Sequence, residues 1–134
     1  MVSVTDDIVT YSNFAVPLTM SNLIKIVNLE DGLPSVEQAR VRLNTELNVA
    51  RKNGVRVLKI IHGYGSSGVG GDLRIALQAT LRQMANRGQV HACIYGENWR
   101  KADEGAWALL KQSPELKGDR DLGKGNRGIT LVVL

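Results

Sequence analysis

A chain of 134 residues, 43% hydrophobic and 22% charged, can bury one core without staples and leaves little room for a second domain. No apolar run approaches the ~18 to 20 residues a membrane-crossing helix needs, and Cys93, the single cysteine, excludes an internal disulfide or a thiolate metal cage. The net charge of +4 is unevenly spread: residues 1–39 hold one base, Lys25, against five acids, while residues 40–134 carry the positive excess. That asymmetry points to a polyanionic partner, nucleic acid before membrane.

Residues 1–21 have no firm period and read as an N-terminal arm before a domain of residues 22–134. The opening "MVSVTDDIVTYSNF" has acids where a secretory leader wants bases, so the expected compartment is the cytoplasm. "NLIKIVNL", Asn22 to Leu29, has the alternation of a first strand, and Asp31, Gly32 and Pro34 supply turn chemistry. Ser35 and Gln38 then spell a capping box. Val36, Ala39, Leu43, Leu47 and Ala50 recur at threes and fours, which gives a helix one apolar stripe until Gly54 ends it.

"VRVLKII", Val55 to Ile61, is apolar enough for a central strand buried on both faces. After a glycine-rich loop, a second stripe starts near Asp72 with Leu73, Ala76, Leu77, Thr80, Leu81 and Met84, and Gly88 stops it. "VHACIY" makes a third strand in which Cys93 reads as core, and with His91 it offers too few ligands for a metal. Residues 96–128 read as a long, partly mobile loop in which "ADEGAWALLKQ" can form a short helix with Trp107 and Leu110 inward. "GITLVVL" closes the chain as a strand. The order β-α-β-α-β-β predicts a two-layer α/β sandwich on a small mixed four-stranded sheet, parallel crossovers first and an antiparallel last strand.

The stretch "IIHGYGSSGVGGDLR", Ile60 to Arg74, places five glycines and two serines between a buried strand and a helix. Backbone N–H groups unhindered by side chains can surround a phosphate, and the helix N-terminus adds about half a positive charge. His62 ends the strand at the edge where open α/β sheets hold ligands, so its imidazole is expected to point into that crevice. Gly63, Gly65 and Gly68 also spell GxGxxG, but the helix starts too late for a dinucleotide fingerprint. A Walker loop fails because no lysine follows Gly70 or Gly71. The plain alternative is a connector whose glycines answer only backbone geometry.

With "VLKIIHGYGSSGVGGDLR" in the middle and "GNRGITLVVL" at the end, the chain resembles the small MutS-related (Smr) domain family. That family carries HGxG after its second strand, matched by His62-Gly63-Tyr64-Gly65. It also carries a glycine-rich turn before a final strand, which Gly125 to Thr130 resemble. The resemblance implies a domain that binds DNA or RNA, with phosphate held by His62, Gly63, Gly65, Ser66 and Arg74, a base stacked on Tyr64, and a second contact from Lys124, Asn126 and Arg127 at the second turn. The family's first-strand LDLHG motif, implicated in cleavage, reads "VNLEDG" here: Asn28 replaces the acid, Glu30 replaces the histidine, and Asp31 is inserted. His62, Glu30 and Asp31 are then the candidate catalytic residues of a nicking endonuclease, with no resident metal or cofactor expected and magnesium called for only if it cleaves. A nucleotide or small-phosphate binder and a protein-interaction module are the rival readings.

Overall fold

The structure is a computed structural model, and it describes residues 23–64 and 70–134. The expected arm of residues 1–21 lies outside them. Elements follow in the order β1 (Ile24–Asn28), α1 (Val36–Lys52), β2 (Val57–Ile61), α2 (Gly70–Asn86), β3 (Ala92–Tyr95), α3 (Glu104–Gln112) and β4 (Ile129–Val133). Short 3-10 turns cover Gly96–Asn98 and Pro114–Gly118. No helix among the described residues is long and apolar enough to cross a membrane.

Capping starts α1 as its sequence demands. The Gln38 N–H donates to Ser35 Oγ at 3.1 Å while Ser35 N–H donates to Gln38 Oε1 at 2.9 Å, so two otherwise orphaned amides are satisfied reciprocally. The apolar stripe then buries Ala39, Leu43, Leu47 and Ala50 against the sheet. At α3 the cap is Asp103, whose carboxylate accepts from Ala106 N–H at 3.0 Å.

The sheet order is β1-β2-β4-β3. β1 and β2 run parallel through the α1 crossover, and β4 inserts antiparallel between β2 and β3. This is the mixed four-stranded α/β sheet that the sequence predicts. α2 must therefore pass over β4 to connect β2 with β3.

Side-chain alternation divides the core in two. Leu58, Ile60 and Val132 face α1 and α2, where Leu43, Leu47, Leu77 and Leu81 meet them. Val57, Leu131 and Val133 face the opposite way, onto Trp99, Leu109, Leu110 and Leu116. The excursion of residues 96–128, expected as a partly mobile loop with one short helix, forms that helix at Glu104–Gln112 and covers the second face. The reason is a sheet that is apolar on both sides: each side chain such as Leu131 buried there is worth about 1.5–3 kcal/mol. Leu110 points inward as expected, but Trp107 is 44% exposed and Trp99 is the buried tryptophan.

One charge enters this second core. Lys59, 2% exposed, lies mid-strand in β2 and reaches Asp119 at 3.0 Å and also Asp121. Asp119 in turn accepts from Trp99 Nε1–H at 2.9 Å. A buried ammonium is tolerable only when paired and hydrogen-bonded, so the excursion supplies two carboxylates where the strand supplies one cation.

Candidate functional site

Parallel β1, β2 and β3 place their last residues at one edge of the sheet, and antiparallel β4 begins there: Asn28 pairs with Ile61, Ile61 with Ile129, and Tyr95 with Thr130. α2 starts from the same edge. The segments bearing the predicted site residues therefore converge on it, although they are distant in sequence.

At the centre stands His62, fully buried. Its Nδ1 lies 2.6 Å from the Gly63 carbonyl and its Nε2 lies 2.9 Å from Thr130 Oγ1. A carbonyl can only accept, so Nδ1 carries the proton and Nε2 accepts from the Thr130 hydroxyl. That hydroxyl accepts in turn from Gln78 Nε2–H at 3.2 Å. Burial holds the imidazole pKa below its ordinary 6.5, with Arg74 adding to the effect and the Gly63 carbonyl and Glu97 opposing it. His62 is thus a neutral peg inside the fold, which corrects the expected imidazole in the crevice: the next layer of polar groups claims both ring nitrogens.

The two glycine motifs are bolted together. Gly128 carbonyl accepts from His62 N–H at 2.9 Å and from Gly63 N–H at 3.1 Å. The Gly63 amide, expected to meet an anion, is therefore spent within the fold. Gly128 N–H donates to Asn126 Oδ1 at 2.8 Å, and Asn126 Nδ2 donates to Asp121 at 3.1 Å. Both ends of the Asn126 amide are thus engaged within the turn, where they brace it. Through Asp121 the brace continues to Lys59, and hydrogen bonds connect the second-face ion cluster with the first glycine turn.

Close approach explains two glycines here. Gly63 has φ +74, and a Cβ on it would run into the Glu30 carboxylate. Gly96, just past β3, faces the Asn126 carbonyl so closely that a Cβ would meet it and would also stand 2.7 Å from Ile129 Cγ1. At the end of β1, Asn28 Oδ1 accepts from the N–H groups of Glu30 at 2.9 Å and Asp31 at 3.1 Å. The residue in the place of the family's acid shapes a turn, and that turn lays Glu30 against Gly63. Asp31 is exposed beside it.

Tyr64 is 56% exposed, with its ring against Gly128. Arg127 and Lys124 are exposed in the second turn. Arg74 pairs with Glu97 at 3.0 Å. Gly65 and Ser66 lie outside the described residues. Sequence reasoning missed Thr130, Gln78, Glu97 and Lys59; of these, Lys59 alone left a signal, a lone charge inside "VLKII" that requires a buried counter-ion.

A small α/β domain with a mixed four-stranded sheet and two glycine turns clasped around a buried histidine is the class these observations define. The Smr domain family model matches residues 32–107, more than half the chain, and the protein belongs to that family. Among solved structures, the crystal structure of the Smr domain of Thermus thermophilus MutS2 superposes with a TM-score of 0.50 at 24% identity, covering 82% of this chain and 96% of that one. That likeness concerns the fold. No curated protein sequence matches the chain.

Proposed function

We propose that this Smr domain binds nucleic acid in the cytoplasm through the carboxyl edge of its sheet, with residues 1–21 as an arm outside the domain of residues 22–134. The observation that carries the reading is the convergence of exposed Tyr64, Arg127 and Lys124 with Arg74 around two rigidly clasped glycine turns. Guanidinium and ammonium groups neutralise backbone phosphates, and an exposed aromatic ring offers a stacking face to a base. His62 serves by holding the Gly63 carbonyl, and so the direction in which the loop leaves β2. Phosphate contact then falls to side chains and to the loop beyond Tyr64.

The test is a salt titration of affinity for single- and double-stranded DNA and RNA. Each phosphate contact contributes about −0.7 to −0.9 to the slope of log K against log salt, so Arg127→Gln is expected to flatten that slope by about one. Absence of binding by the wild-type protein at low salt overturns the reading.

A nicking activity is the second reading, favoured by one observation: the Glu30 carboxylate lies against Gly63 at the same edge. There it would orient a water toward a bound phosphate, with Asp31 next to it. Supercoiled plasmid and structured RNA incubated with and without magnesium, alongside Glu30→Gln and Asp31→Asn, decide it. Loss of nicking in Glu30→Gln with binding retained supports the activity; intact substrate in every lane removes it.

A further inference from the structure

Because β4 is inserted between β2 and β3, β3 is left as an outer strand. Along that flank Arg74, Gln78 and Arg82 recur every four residues on α2, one above another on a single helical face. Tyr95 stands opposite. Its register with Thr130 puts it on the α2 side of the sheet. Arg74, Gln78, Arg82 and Tyr95, with Ile75 and Gln83, line a groove of about 370 Å³, within the size range of small-ligand sites, about 300–1,000 Å³.

Three features give this groove a chemistry. The Arg82 guanidinium lies over the Tyr95 ring, 5.3 Å from its centroid, a cation–aromatic platform of the kind on which bases stack. Arg74 gives one N–H to Glu97 and is oriented by that bond at one end of the groove. The Arg74 side chain is 23% exposed, so its guanidinium keeps N–H groups that can donate to a phosphate oxygen, and a nucleotide joins such a phosphate to a flat base that suits the Tyr95–Arg82 platform, whereas an acidic side chain brings only acceptors. Finally, Arg74 places one end of the groove on the early turns of α2, which starts from the sheet edge, and Gln78 in its wall is the residue that holds Thr130 and through it His62.

Resting on the nucleic-acid reading of that edge, we propose that the α2–β3 groove holds one nucleotide of a single strand that enters from the edge. The base lies against Tyr95 and Arg82, and the phosphate lies at Arg74. The strand is thereby read by stacking, which tolerates any base, and the groove prefers single-stranded over paired substrate.

Anisotropy of labelled oligouridylate and oligothymidylate at low salt tests this. Tyr95→Ala is expected to weaken binding about fivefold to a hundredfold, the effect of losing one stacked base, and Tyr95→Phe to stay near wild type. Arg82→Gln, on an exposed helical position that spares the fold, is expected to lower the salt slope by about one. A strand carrying 4-thiouridine is expected to photocrosslink to the peptide that holds Tyr95. If Arg127→Gln weakens binding while Tyr95→Ala and Arg82→Gln do not, the sheet edge binds and the groove proposal is overturned. If the wild type binds no strand, both readings fall. Uridine monophosphate competing as well as the strand would make this a free-nucleotide site, and displacement by polyglutamate with the same dependence on Tyr95 would make it an acidic-peptide groove; either result overturns the strand.

Discussion

Nε2 of His62 stands 2.9 Å from the hydroxyl of Thr130, and this contact joins the end of β2 to the start of β4 inside the core. It fixes the protonation state of the ring as well. A second proton on the imidazole would leave Nε2–H facing a hydroxyl whose own proton must turn away, in a place where burial already disfavours charge.

Stability therefore depends on pH through His62. Its folded pKa is held below the ordinary 6.5, first by burial and then by Arg74, so the unfolded chain takes up the proton before the folded one does. The contribution is complete above about pH 6.5 and is lost as pH falls toward and through the lower folded value. Urea midpoints measured between about pH 8 and about pH 5.5, above most carboxylate titration, are expected to decline in the wild type. The decline should be shallower in His62→Gln.

Thr130→Val keeps the shape of the side chain and removes its hydroxyl. His62 Nε2 loses its donor and Gln78 Nε2 its acceptor, and leaving a buried polar group unsatisfied costs about 1–3 kcal/mol. Chemical denaturation is expected to show a loss in that range, with Thr130→Ser retaining most of the stability. Equal losses in the two variants would mean that the methyl group, and not the hydrogen bond, matters.

Elements governed by local rules were legible before the fold was known. Ser35 and Gln38 announce their helix by spacing alone, and the aliphatic density of "VLKII" marks a central strand. The HGxG stretch marks the edge where the segments converge. What stayed hidden depends on pairing between distant segments. Nothing near His62 in sequence reveals that Thr130, sixty-eight positions later, will claim its second nitrogen, or that Gly128 will take the Gly63 amide. The excursion misled for a similar reason: its helix is short, and Trp99 becomes core because Asp119 accepts its indole N–H, a partner twenty residues away.

Gly63→Ala separates two costs. A residue with a Cβ at φ +74 loses about 1–2 kcal/mol in the left-handed region, and the new methyl must also displace the Glu30 carboxylate. The carboxylate is the far end of a flexible side chain, so it can swing away. A double-mutant cycle with Glu30→Ala is expected to give a coupling below about 0.5 kcal/mol, with the larger backbone cost present in both backgrounds. A coupling well above that would show that Glu30 is held in place over the glycine turn.

Lys59 offers the sharpest electrostatic test. Lys59→Met leaves Asp119 and Asp121 facing one another with 10% and 15% of their side chains exposed, and removal of one partner from a buried ion cluster costs about 3–5 kcal/mol. The pH dependence should also change sign. In the wild type burial pushes the Asp121 carboxyl up, but Lys59 and Asn126 together outweigh it and hold the group below its ordinary 3.8. Its contribution is thus present above about pH 4 and lost as pH falls through the lower folded value. Without Lys59, burial and the neighbouring carboxylate both raise that pKa, so the variant is expected to gain stability relative to wild type as pH is lowered from neutrality toward about 4. Replacing Asp119 and Asp121 by Asn in the Lys59→Met background removes both unpaired charges and should recover part of the loss at neutral pH. Urea denaturation across that pH range checks each expectation; parallel curves for wild type and Lys59→Met would mean that the two carboxylates find water as soon as the cation is gone.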